Sequence, residues 1–227
     1  MKHLVTACLF LLLLPALAAS QSWEDYDYEN LEFRGIGLEL GGIWPARIEP
    51  TAVVGLRGDL GFVGPHVRIV PAIRYWSSSL RTSEVERLAD QIIRICERQA
   101  TGGCPTSLDL GDVRRSDLEM SAEAHYLFPT GYSIEPYLGG GLSLHLLNGR
   151  GDLIDDTFVE DLLDTVSPGL NLTAGVNVPL VPSLQLVTEA RFVLISDVQY
   201  ASLAVGGTWA LPSPSAPFRA LFRPAAP

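Results

Sequence analysis

Residues 116–147 read SDLEMSAEAHYLFPTGYSIEPYLGGGLSLHLL, and the fold follows from how this stretch alternates. In its first arm Leu118, Met120, Ala122, Ala124, Tyr126 and Phe128 alternate with Asp117, Glu119, Ser121, Glu123 and His125. In its second arm Ile134, Pro136, Leu138, Leu142, Leu144 and Leu146 alternate with Glu135, Tyr137, Ser143 and His145. Successive strand side chains point to opposite faces, so each arm has one apolar face and one polar, charged face. Pro129-Thr130-Gly131 supplies the breaker residues of a tight reversal. Each arm exceeds the ~5–6 residues usual for a soluble strand and reaches the ~9–11 that a tilted strand needs to cross a bilayer.

Outward from this hairpin, the N-terminus speaks for export. Met1-Lys2-His3 is a basic start, Leu4 to Leu14 an apolar run, and Ala16-Leu17-Ala18-Ala19-Ser20 a set of small residues fit for cleavage. Residues 1–20 are therefore expected to be a removed signal peptide, since the apolar run is shorter than the ~20 residues of a spanning helix. Residues 21–30 form a polar lead-in. With Cys8 lost in the signal, Cys96 and Cys104 remain in one segment of an exported protein, and a local disulfide is the default. A metal site is not expected, because no histidine lies between Tyr75 and Leu118, and no cofactor is expected either. The net charge is −10, and every Lys or Arg after Lys2 is arginine, with no basic cluster to serve a nucleic acid.

The same alternation recurs along the chain. Strands are expected over about 33–44, 51–63, 66–78, the two hairpin arms, 168–178, 183–195 and 199–211. Pro71 inside the third run predicts a bulge or a non-bonded position. Between the third and fourth strands, Val85, Leu88, Ile92 and Ile95 recur at helical spacing and Gly102-Gly103 closes the helix. A second short helix is expected around Asp156–Asp164, within a loop rich in acids (Asp152, Asp155, Asp156, Glu160, Asp161, Asp164). Residues 212–227 are a Pro/Ala-rich tail.

Connections after even strands are short and those after odd strands include both long ones, as in barrels whose two ends face different compartments. The polar phase carries Glu39, Asp59, Asp117, Glu119, Glu123, Glu135 and Glu189 with Arg57, Arg68, Arg74 and Arg191. The apolar phase, taken to include Leu60 and Phe62, carries only Arg34, placed at an interface. Long strands, asymmetric connections, missing lysine and a glycine-rich polar face put the apolar face outward. The expected fold is all-β: an eight-stranded antiparallel up-and-down transmembrane β-barrel with short helices in two long loops. A soluble, lipocalin-like periplasmic barrel binding an apolar ligand is the alternative, because alternation alone does not choose the wet face.

The signal, the eight strands over about 31–211 and segments such as Tyr137-Leu138-Gly139-Gly140-Gly141-Leu142 resemble the small bacterial outer-membrane barrels, the OmpA/OmpW-like, porin-like eight-stranded group. The resemblance implies location in the outer membrane, contact with its lipid and insertion by the barrel assembly machinery. Segments 79–114 and 148–167 would be displayed to an extracellular or envelope ligand.

Eight strands enclose a lumen that side chains nearly fill, and ions inside it must be paired. A lumen network is therefore expected from Glu39, Arg57, Asp59, Arg68, Arg74, Asp117, Glu119, Glu123, His125, Glu135, His145, Glu189 and Arg191, plugging the barrel. Centring the hairpin on Thr130 would set His125 opposite Glu135 and Glu123 opposite Tyr137. Asp59 is expected beside Arg68, and Glu189 beside Arg191. Ser143 and His145 with Glu119 or Glu135 would make a nucleophilic triad, as in a lipid A-modifying barrel enzyme, but no oxyanion donor can be named. No catalytic residue is assigned.

Overall fold

The computed structural model describes residues 31–99, 103–151, 165–196 and 198–211. The signal peptide, the lead-in, the acidic helix around 156–164 and the tail 212–227 lie outside them, as does Gly102. Eight strands run in order: β1 (Leu31–Pro45), β2 (Thr51–Gly64), β3 (Val67–Ser79), β4 (Arg114–Leu127), β5 (Glu135–Arg150), β6 (Thr165–Val181), β7 (Leu184–Ile195) and β8 (Gln199–Ala210). Each pairs antiparallel with its sequence neighbour, and β1 pairs with β8, so the sheet closes on itself. Closure matters because it leaves no sheet edge with unpaired backbone groups.

The apolar phase points outward. Leu142 on β5 is 68% exposed and Leu40 on β1 62%, whereas Glu119 on β4 is 1% exposed and His145 on β5 is fully buried. The exterior also shows Ile36, Leu56, Ile73, Met120, Leu138, Leu170, Leu172, Phe192 and Val205. This is the reverse of a soluble barrel, and hydrocarbon is the solvent that such an exterior suits. An inward-facing apolar cavity for a ligand, which the lipocalin-like alternative needs, is not what the lumen contains.

The strands are longer than the alternation alone suggests. β5 runs to Arg150 and β6 begins at Thr165, so residues 148–150 and 165–167, expected in a displayed loop, are strand. The displayed part of the third-to-fourth connection shrinks to 80–113 for the same reason. It holds α1 (Thr82–Gln99), whose Val85, Leu88, Ala89 and Ile92 pack with Leu80, Leu108, Leu110 and Val113. Leu80 N donates to Val113 O at 2.8 Å, Glu49 N to Ser79 O at 3.0 Å, and Ile48 bridges Leu80, so the segment is tied to the barrel rim. Cys96 and Cys104 are disulfide-bonded and join the end of α1 to the loop that follows.

Three local expectations need correction. The β4–β5 register pairs Leu127 with Tyr137, His125 with Gly139 and Glu123 with Gly141, not His125 with Glu135. The cause is a wider turn: Thr130 Oγ1 donates to Ile134 O at 2.6 Å, which closes a loop over 128–134 instead of a tight reversal at Thr130. Phe62 faces inward, against Leu127, Tyr137 and Val187, because β2 carries a bulge between Arg57 and Phe62 that shifts its phase. Gly61, at φ 76°, supplies the left-handed residue there, and its N–H bonds Asp59 Oδ1 at 2.8 Å. Pro71 lies opposite this bulge, where no ladder N–H is required, as its missing donor predicts. Finally, an irregularity between Leu31 and Gly35 turns Arg34 from the outer surface to a place 5.4 Å over the Phe62 ring.

Leu142, midway along β5, supplies a direct check. Leu142→Arg should lower the stability of the barrel refolded in lipid vesicles by ~2–4 kcal/mol, read from the denaturant midpoint. A change within ~0.5 kcal/mol, as for an ordinary water-exposed site, would contradict the hydrocarbon-facing assignment.

Candidate functional site

Inward positions of neighbouring strands bring the polar phase together at the barrel centre. Arg74 of β3 pairs with Glu39 of β1 through Nε, reaches Glu119 Oε1 at 3.4 Å and Glu189 Oε1 at 3.1 Å. Arg191 of β7 pairs with Glu123, and lies 3.0 Å from both Glu119 Oε1 and Glu189 Oε1. Arg57 of β2 approaches Glu189 at 3.3 Å and Glu39 at 3.7 Å. Three guanidiniums thus face four carboxylates, drawn from β1, β2, β3, β4 and β7.

Neutral donors complete the set. Tyr137 OH donates to Glu189 Oε2 at 2.6 Å and Tyr200 OH to Glu119 Oε2 at 2.9 Å. Asn171 Nδ2 donates to Glu119 at 3.1 Å and to Glu123 at 3.0 Å, and His125 Nε2 lies 3.0 Å from Glu123 Oε2. His125 also stacks on Tyr137, with ring centroids 4.6 Å apart. The carboxylate oxygens are multiply engaged, as ions this deeply buried require. Asn171, Tyr137 and Tyr200 are absent from the expected network, which considered only titrating acids and bases. Their signal was present all the same, since Asn171 and Tyr137 fall in the polar phase of β6 and β5.

The glycines of the same phase make the room. A Cβ on Gly55 would lie 2.7 Å from Glu39 Oε1 and 2.9 Å from Arg74 Cγ. One on Gly169 would lie 2.6 Å from Ser143 Oγ.

Asp59, Arg68 and Glu135 form a separate group at the short-turn end. Arg68 lies 3.7 Å from Asp59 and 3.5 Å from Glu135, and its guanidinium is 5.5 Å over Phe62. The Glu135 side chain is 42% exposed, so this group is a rim and not part of the central knot.

Asp117 and His145 stand at the other end of the knot with Ser143. His145 Nε2 is 2.8 Å from Ser143 Oγ, and His145 Nδ1 is 2.8 Å from Asp117 Oδ2. The acid is Asp117, not Glu119 or Glu135: Glu119 is held by Arg74, Arg191 and Tyr200, and Glu135 is at the far rim. The connectivity is that of a nucleophilic triad, set in a crowded stretch of the lumen wall. A Cβ on Gly169 would collide with Ser143 and His145, and Asn171 Oδ1 accepts from Ser143 Oγ at 3.0 Å. Ser143, His145 and Asp117 are buried, and backbone N–H groups of the wall are committed to the ladders. No oxyanion donor faces Ser143 among the described residues.

Both ends of the lumen are capped by apolar side chains that the alternation did not reveal. At the long-connection end Ile43, Ile48, Val53, Trp76, Val193, Ile195, Val198 and Tyr200 pack together. At the short-turn end Leu127, Tyr137 and Val187 do so, with Phe62 against them. Ile43 shares the inward phase of Glu39 and Gly41, so inward means polar only over the middle of the barrel.

No protein-family model matches the chain, and no curated protein matches it. Solved structures similar to it include Neisserial surface protein A, at 16% identity over 78% of this chain and 97% of that one, with a TM-score of 0.49. A major outer membrane protein from Thermus thermophilus matches at 13% identity over 78% and 99%, TM-score 0.47. Ail, the attachment invasion locus protein of Yersinia pestis, matches at 9% identity over 80% and 100%, TM-score 0.45.

The knot is testable by a double-mutant cycle. Arg74→Met should destabilise the refolded barrel by ~3–5 kcal/mol, because it leaves buried carboxylates short of a partner. Adding Glu39→Gln should recover part of that loss, with a coupling above ~1 kcal/mol between the two positions. Simple additivity in denaturant titrations would show that the pair is not coupled.

Proposed function

We propose that the protein is a β-barrel of the bacterial outer membrane with a structural and surface-interaction role, its lumen plugged by its own side chains. The observation that carries this reading is the inversion of the barrel: leucine, isoleucine and valine outside, ion pairs inside. The apolar belt suits contact with outer-membrane lipid, and insertion by the barrel assembly machinery accompanies that location. Apolar caps above and below the ion pairs support a closed lumen over a pore. A water-filled channel needs a continuous polar path, and the rings of Trp76 and Tyr200, packed edge to face with centroids 6.0 Å apart, speak against one.

The surface role falls to the long-connection end. There α1 is anchored to the rim by its apolar face and presents Glu86, Asp90, Arg94 and Glu97 away from it. Together with the acidic segment 152–164 this is the part of the chain offered to an extracellular or envelope ligand. The long loops favour display, and the burial of Ser143, His145 and Asp117 speaks against catalysis.

Membrane fractionation tests the location. The protein should pellet with the outer membrane, require detergent for extraction and run at different gel mobilities before and after heating. Recovery in the soluble periplasmic fraction would refute it. In planar bilayers the folded protein should give no stable single-channel steps, and large steps would refute the plug. Ser143→Ala should leave the lipid A of an expressing strain unchanged in mass, as should the wild type; a modified species dependent on Ser143 would restore the enzyme reading.

A further inference from the structure

One sector of the outer wall breaks the apolar pattern. At the long-connection end, outward residues of β3, β4 and β5 stand in three registered tiers. Tyr75, Leu118 and Leu146 form the first, nearest the apolar belt, since Tyr75 pairs with Leu118 and Leu118 with Leu146. Ser77, Ser116 and Asn148 form the second by the same pairings. Arg114 and Arg150 form the third, directly opposite one another. All eight residues line a groove of ≈ 480 Å³ on the outside of the barrel.

Two like charges facing across adjacent strands repel, and an anion seated between them would offset that repulsion. Among the described residues no acid lies within ion-pair distance of Arg114 or Arg150, and Asp112 is engaged by Ser79 Oγ at 3.3 Å. Elsewhere at this end the outward strand positions carry no charge, as at Trp44, Ala52, Val166, Gln199 and Ala201. The arginine pair is therefore local to one sector.

We propose that this tiered patch binds the headgroup of a phosphate-bearing membrane lipid, an inference that rests on the membrane reading above. The phosphate lies between the Arg114 and Arg150 guanidiniums, whose forked donors match its oxygens. Ser77, Ser116 and Asn148 meet the hydroxyl and ester groups beneath it, and the first acyl methylenes lie on Tyr75, Leu118 and Leu146. The order of the tiers matches the order of groups along such a lipid, from charge through polar linkage to hydrocarbon. A free anion would use the arginines alone and would leave the other two tiers unexplained.

The test uses the full barrel refolded in vesicles of equimolar phosphatidylcholine and phosphatidic acid, then released for native mass spectrometry of retained lipid. Wild type should retain phosphatidic acid over phosphatidylcholine by about tenfold or more, the scale expected of two arginines at an anionic surface. Arg114→Gln with Arg150→Gln should abolish the preference while the heat-modifiable gel band persists. Arg94→Gln with Arg98→Gln, the same charge change on α1, should leave the preference intact. A wild type without preference, a wall variant that keeps it, or an equal loss in the α1 variant would overturn the site. So would displacement of phosphatidic acid by inorganic phosphate, which would mark an adventitious ion only. A wild type that never acquires the folded band in vesicles would overturn the membrane reading, and this site with it, and gel mobility tells that failure from the others.

Discussion

Arg74 and Arg191 join carboxylates from three strands at the buried centre of the barrel, and the remaining architecture answers to that fact. Taking an ion out of water costs several kcal/mol even after relaxation, so the acids at the centre of the knot gather several donors each. Glu189 is contacted by Arg57, Arg74, Arg191 and Tyr137, and Glu119 by Arg74, Arg191, Asn171 and Tyr200. These contacts cross the lumen and tie strands that are not neighbours in the sheet. Ladder hydrogen bonds hold adjacent strands; the knot holds opposite walls.

Packing follows from the same demand. Long side chains that lie across the neighbouring strand need a small residue there, and the glycines of β1, β2, β5 and β6 stand in register with the arginine, glutamate, histidine and tyrosine that cross them. Gly175, for example, faces the Tyr137 ring whose hydroxyl bonds Glu189. Apolar clusters then flank the knot at both ends. In that shielded interior each pairing is stronger, and each missing partner would cost more.

Much of this was legible in residues 116–147. A period of two fixed the strands, and the confinement of charge to one phase fixed which residues share the lumen. Pairings that depend on backbone irregularity were not legible. The register of β4 with β5 depends on a turn widened by Thr130 to Ile134, and Phe62 changed sides because Gly61 lets β2 bulge. Asp117 in place of Glu119 beside His145 is a matter of side-chain reach and of competition from Arg74 and Arg191. Alternation says which face a residue takes and nothing about which partner it meets there. The caps escaped for a related reason: Ile43 and Val193 obey the inward phase but are apolar, so a rule equating inward with polar passed over them.

A buried ion network is seldom the most stable filling for a core, and well-packed hydrophobic residues often do as well or better. Its value in this barrel lies in specifying register. The side-chain period is two, so a one-residue slip of any strand exchanges its lumen face for its lipid face. With an all-apolar interior such a slip would exchange one apolar row for another at small cost. With Glu119 and Glu123 on β4, or Glu189 and Arg191 on β7, it would put both ions of that strand into hydrocarbon and strand their partners inside. Charge at the bilayer midplane costs up to ~2–4 kcal/mol per arginine, and the unpaired lumen partners add to it. The same lumen residues thus also select the one pairing of eight strands that keeps their own charges out of hydrocarbon.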